Sequence, residues 1–201
     1  MTVLGSALSE NGLNLIQEFD LSGTRLSEKA VRSLALSIVC KEYGLRSFKV
    51  SGCQLTARSV GVIIREGFLP SPEVTTTLEE FDISENRMDD EGSLLLQVWL
   101  SKLSKRSNLK KLNISKTNAM LSVIVPALEL AFQLETVNLS HCTMDIETAS
   151  ALAAIVANSA TLHEIDISHC NLPANSVAPI VSALLRNQNL PQGIFNLYFP
   201  V

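Results

Sequence analysis

The sequence predicts an α/β solenoid, a right-handed horseshoe in which parallel strands line the concave side and helices form the convex side. Three observations predict it. The string from Leu45 to Leu55, Leu-Arg-Ser-Phe-Lys-Val-Ser-Gly-Cys-Gln-Leu, fits the template L-x-x-L-x-L-x-x-N/C-x-L at every fixed position. Further copies start at Ile16, Leu78, Leu109, Leu134 and Leu162, so that successive starts lie 29, 33, 31, 25 and 28 residues apart. Between the copies, as over 28–40 and 146–158, apolar residues recur in steps of three and four, the period of an amphipathic helix.

Each copy therefore reads as a short strand, a turn and a helix, which is the plan of a leucine-rich repeat. Strands pair about 4.8 Å apart, whereas packed helices need about 8–10 Å. The mismatch curves the array and puts the strands inside. No repeat can bury its own apolar face, so each is stabilised by its neighbours.

Taken in order, the first repeat runs from Ile16 through Leu26 into a helix ending near Cys40, and the second from Leu45. The third starts at Leu78, and its helix carries the single tryptophan, Trp99, expected to pack in the core. A basic segment, 101–106, closes that helix and suits its dipole. The fourth and sixth repeats contain Pro126 and Pro179, each the eighteenth residue of its unit, which predicts that both sit in the first turn of their helices. The fifth repeat carries the long helical pattern over 146–158.

The ends are read from the same pattern. Residues 1–12 read as the last turn of a convex helix. Leu190 keeps the spacing but puts Gly193 where an apolar residue is due, and a register slip would restore a strand using Phe195 and Leu197. Residues 1–201 are thus expected to form a single leucine-rich repeat domain of about six to seven repeats, a piece of a longer array. Its uncapped ends would expose strand edges open to self-association.

With 46% hydrophobic and 18% charged residues the chain is globular, not disordered. A net charge of −4 gives no general attraction to nucleic acid or anionic lipid, and no apolar run is long enough to span a bilayer. Cys53, Cys142 and Cys170 fall at the ninth template position, where Asn or Cys bonds the turn, and with Cys40 they form no CxxC pair, a usage that suits a reducing cytosol. The sequons at Asn113 and Asn138 fall within strands and read as chance. His141 and His169 share position eight of adjacent repeats, directly before Cys142 and Cys170. Positions eight and nine face different ways, so these four groups would not converge on a metal. No cofactor and no metal is expected.

Alternation along a strand turns positions four and six into the core and leaves three, five and seven on the concave face. Position seven is serine in all six copies, a turn preference rather than six nucleophiles. The candidate partner-binding residues on that face are Glu18, Asp20, Lys49, Glu80, Asp82, Lys111, Lys116, Asn138, His141, Glu164, Asp166 and His169. Their mixed signs lack the single-sign groove with interleaved aromatics that single-stranded nucleic acids require.

Two stretches carry a resemblance to a known family. Asp20-Leu-Ser-Gly-Thr-Arg-Leu-Ser27 with its following helix, and Phe81-Asp-Ile-Ser-Glu-Asn-Arg-Met88 followed by Leu96-Gln-Val-Trp-Leu-Ser-Lys102, resemble consecutive repeats of the CARMIL family, whose repeats are ribonuclease-inhibitor-like. CARMIL proteins are large actin-cytoskeleton regulators that bind capping protein. The resemblance implies a cytoplasmic, non-enzymatic scaffold associated with cortical actin, with protein partners among actin regulators and no direct membrane insertion. It also implies that capping-protein binding, membrane targeting and dimerisation belong to segments outside the repeats. Two alternatives remain at this stage. One is the sensor region of a nucleotide-binding innate-immune receptor, whose repeats are usually more regular. The other is a Ran-type GTPase-activating horseshoe, for which Arg25 or Arg87 would supply the exposed arginine.

Overall fold

The computed structural model describes residues 16–188 and 196–198. Seven three-residue strands form one parallel sheet in sequential order: β1 Glu18–Asp20, β2 Ser47–Lys49, β3 Glu80–Asp82, β4 Lys111–Asn113, β5 Thr136–Asn138, β6 Glu164–Asp166 and β7 Asn196–Tyr198. The fourth template position is in register throughout, as Phe19, Phe48, Phe81, Leu112, Val137, Ile165 and Leu197. The last pairing confirms the register slip, because Leu197 stands opposite Ile165. Phe195, Leu190 and the helical reading of residues 1–12 lie outside the described residues.

Between the strands run α1 Glu28–Val39, α2 Ala57–Val62, α3 Pro72–Thr77, α4 Asp90–Leu100, α5 Leu121–Ala127, α6 Ile146–Asn158 and α7 Val177–Arg186. The core lies between sheet and helices. Its aromatic centre joins Phe48, Phe68, Phe81 and Trp99, with neighbouring ring centroids 4.8–6.2 Å apart. Trp99 is fully buried, as expected, and its indole N–H meets no acceptor among the described residues.

Odd and even repeats are built differently. In the first, third and fifth the helix is unbroken, and its twelfth residue caps it: Ser27 accepts from Ala30 N–H, Asp89 from Gly92 N–H and Asp145 from Thr148 N–H, as Thr56 does from Ser59 N–H in the second. In the even repeats the tenth residue is left-handed, Gln54 at φ 56°, Asn118 at 59° and Asn171 at 50°, and the outer segment is broken. Repeat two follows α2 with a π-helical turn, Ile63–Phe68, before α3. Repeat four tightens after α5 into a 3-10 turn, Leu128–Leu130, and repeat six starts with one, Ala174–Ser176.

This difference separates the two prolines. Pro179 is the third residue of α7, in the first turn as expected. Pro126 is instead the sixth residue of the seven-residue α5, because that helix starts directly at Leu121 with no 3-10 turn before it. Its ring removes a helical N–H, and the chain then adopts the tighter 3-10 geometry.

The turns after the strands continue the ladder. Position eight is left-handed in all six repeats: Gly23, Gly52, Glu85, Lys116, His141 and His169 have φ between 55° and 71°. Each of the first five donates its N–H to the seventh-position carbonyl of the next repeat, at 2.7–3.0 Å. The ninth-position thiols point inward. Cys53 donates to Leu21 O, Cys142 to Ile114 O and Cys170 to Leu139 O, each in the preceding repeat. All four cysteines are free. Burial pushes the Cys170 thiol up to about 11, so it stays protonated as a donor.

Candidate protein-binding face

Nine of the twelve sequence-predicted residues lie on strands: Glu18, Asp20, Lys49, Glu80, Asp82, Lys111, Asn138, Glu164 and Asp166. The other three, Lys116, His141 and His169, occupy the left-handed turns. They form a separate rim at the C-terminal edge of the strands and not part of the sheet face. Along that rim Lys116 pairs with Glu85 at 2.8 Å, and His141 stacks on His169 with ring centroids 4.3 Å apart and planes 17° from parallel. The imidazoles stand outside while Cys142 and Cys170 turn in, so the four groups do not converge. Among the described residues, no group of three or more His, Cys, Asp and Glu side chains is arranged to hold a metal ion.

Parallel pairing sets the face. Position three aligns Glu18, Ser47, Glu80, Lys111, Thr136 and Glu164, and position five aligns Asp20, Lys49, Asp82, Asn113, Asn138 and Asp166. Six carboxylates stand against two lysines, a formal −4 that equals the net charge of the whole chain. Lys49 reaches across to Glu80 at 2.8 Å, which holds its ammonium above the usual lysine range. Lys111 makes no ion pair among the described residues.

The serine column is not simply solvent-facing. Ser84, Ser115 and Ser140 are buried, because the fifth-position side chain folds over them. Asp82 accepts from the N–H and hydroxyl of Ser84, Asn113 does the same for Ser115, and Asn138 for Ser140. Asp20 and Asp166 accept from the N–H of Ser22 and Ser168. Hydrogen bonds from Ser22 hold the Asp20 carboxyl below the usual range. These are Asx turns that end β1 and β3–β6, while β2 carries Lys49 at that position. Position five therefore has a structural task, and position three is the less encumbered part of the face.

Sequence reasoning missed an ion ladder on the opposite edge. Glu79 accepts from Arg46 at 2.9 Å and from Lys110 at 3.1 Å, and these two bonds hold its carboxyl below the usual range. The signal was available: all three residues are second in their repeats and alternate in sign.

A shallow groove of about 190 Å³ runs over β3–β6, between Glu80 and Asp82 at one end and Glu164 and Asp166 at the other. A larger cavity, about 400 Å³, opens on the helix side between Leu128, Phe132, Ala154 and Ile155. It is the apolar gap left where the short repeat four meets α6, and among the described residues Glu129 is the one charged side chain lining it. The patterned polar chemistry is on the sheet. Among the described residues, no helix is long and apolar enough to cross a membrane.

Comparison with known proteins agrees with this architecture. A family model described as "Leucine Rich repeat" matches residues 75–95. The chain is 24% identical over 198 residues to Protein CARMIL of Dictyostelium discoideum, covering 98% of this chain and 18% of that protein. It is 25% identical over 183 residues to the ribonuclease inhibitor of Sus scrofa, covering 91% of this chain and 33% of that one. A solved structure, the tropomodulin C-terminal domain of Caenorhabditis elegans, overlaps 92% of each chain at 13% identity with a TM-score of 0.47. Template, parallel sheet and family match together make this chain a leucine-rich repeat solenoid, with repeats similar to those of CARMIL and ribonuclease inhibitor.

Proposed function

We propose that the chain is a non-enzymatic protein-interaction scaffold of a CARMIL-like regulator of actin filament capping and assembly. It would act in the cytoplasm near cortical actin and engage its partner through the sheet face. The observation that carries the face is the in-register array of charged side chains on a rigid sheet. A scaffold of this kind presents many contacts without first ordering a loop, so little affinity is lost on binding. Similarity to CARMIL over nearly the whole chain supports the actin-regulatory context.

The test is affinity capture from cell extract with the wild-type chain, with Glu18→Lys plus Glu164→Lys, and with a helix-side control, Leu185→Lys. Glu18 and Glu164 are third-position residues that take no part in the Asx turns, and Leu185 is exposed on α7. Actin-regulatory proteins should be retained by the wild type and the control and lost by the double variant. Equal retention on all three would exclude the sheet face as the binding surface.

A further inference from the structure

Resting on that reading, we infer that the groove over β3–β6 binds an extended partner segment with the charge pattern Lys/Arg-x-Glu/Asp-x-Lys/Arg, laid across the strands. The pattern follows from the order of charges that pairing imposes. Glu80, Lys111, Thr136 and Glu164 are consecutive partners, as are Asp82, Asn113, Asn138 and Asp166. Across the groove the charges thus run negative, positive, neutral, negative.

Each end has a distinct character. Glu164 and Asp166 make no ion pair among the described residues and present two carboxylates side by side. At the other end Glu80 is shared with Lys49, while Asp82 accepts Asn113 Nδ2 at 3.0 Å on Oδ2 and Ser84 on Oδ1. One net negative charge remains there. Between them stands the exposed ammonium of Lys111, flanked by the neutral Asn113, Thr136 and Asn138. A uniformly basic segment would meet Lys111 with like charge. A segment carrying one central carboxylate would satisfy it.

Spacing fixes the sequence interval. Three strand separations of about 4.8 Å place the two acidic ends roughly 14 Å apart. An extended chain rises about 3.4 Å per residue and turns every second side chain to the same face, so residues i, i+2 and i+4 would face the groove. Residue i+4 reaches the far end at about 14 Å, and i+2 falls within reach of the long Lys111 side chain. The sheet interior offers no free backbone edge, so recognition is by side chains and weakens as salt rises.

The experiment is fluorescence anisotropy at low ionic strength, using labelled synthetic peptides with cores Lys-Ser-Glu-Ser-Lys, Lys-Ser-Lys-Ser-Lys and Glu-Ser-Lys-Ser-Glu. The wild type should bind the first about tenfold more tightly than the second, and the third not measurably. Lys111→Glu should invert the order of the first two, and Glu164→Gln should weaken the first about fivefold. Lys111 is exposed, so circular dichroism should show both variants folded. Equal or tighter binding of the all-lysine peptide to the wild type, or an order unchanged by Lys111→Glu, would overturn the pattern. If partner capture still fell with the Glu18 and Glu164 variant, the sheet-face reading would survive that result. If capture did not fall, the reading itself would go, whatever the peptides do.

Discussion

Asp82 Oδ1 accepts two hydrogen bonds from Ser84, from the backbone N–H at 2.9 Å and from the hydroxyl at 2.6 Å. The carboxylate that looks available for a partner is also closing the turn that ends its own strand. Asp82→Ala should therefore cost about 1–2 kcal/mol in urea denaturation. Asp82→Asn should cost less, because it keeps the bonds from Ser84 that Asn113 and Asn138 make to their own serines in the next two repeats, and gives up only the bond that Asn113 Nδ2 donates to Oδ2. A cost for the asparagine variant equal to that of alanine would mean that charge, not the turn, is what matters there.

The Arg46–Glu79–Lys110 ladder predicts an acid-sensitive contribution. Hydrogen bonds from Arg46 and Lys110 lower the Glu79 pKa below its usual 4.5. A lowered carboxylate pKa stabilises the fold above the unfolded value, and that stability is lost as pH falls through the folded value. Wild type should exceed Glu79→Gln in thermal midpoint at neutral pH, with the gap closing as pH drops below about 4. High salt should narrow the gap at neutral pH, since both cations are partly exposed. A gap independent of pH would exclude the ion ladder as its source.

Two left-handed glycines should respond unequally to alanine. Gly23 has φ 71° with nothing among the described residues near the site of an added Cβ, so Gly23→Ala should cost the left-handed penalty, about 1 kcal/mol. At Gly44, φ 69°, an added Cβ would overlap the Thr77 side chain, whose hydroxyl meets Leu45 N–H at 2.9 Å and so ties the end of repeat two back to its start. Gly44→Ala should cost about 2–4 kcal/mol, readable as a lower denaturant midpoint. Equal costs would mean that the Thr77 tie yields without penalty.

Trp99 fills the centre of the aromatic cluster but buries an N–H that meets no acceptor among the described residues. Trp99→Ala should cost about 3–5 kcal/mol through the cavity it leaves. Trp99→Phe should cost markedly less, since it keeps a ring against Phe68 and Phe81 while removing the orphan donor. Differential scanning calorimetry of the two variants side by side checks this, and equal destabilisation would contradict it.

What was legible in the sequence was whatever depends on spacing alone. The strands, their register and the inward ninth-position cysteines follow from counting residues. Less legible was backbone handedness. Gly23 and Gly52 announce a left-handed turn, but Glu85, Lys116, His141 and His169 share it only because the ladder imposes it. The π-helical turn left one trace, the 33-residue interval, because it preserves an apolar helix face. On the candidate face, charge sign was readable and engagement was not. An aspartate two residues before a serine spells an Asx turn as readily as a binding site, and cross-repeat pairs such as Lys49 with Glu80 require register to be seen. Pro126 was misplaced because equal numbering does not mean equal geometry when one helix starts three residues after its turn and another six.

The alternation between unbroken helices and broken ones gives the array a grain of two repeats. Deleting a single repeat would set two like units against each other, joining outer surfaces that never meet in the present order. Deleting a pair would leave every junction of a kind already present. Lengthening or shortening of such an array is thus expected to be tolerated in steps of two, as a stair built of alternating treads can lose a matched pair but not one tread.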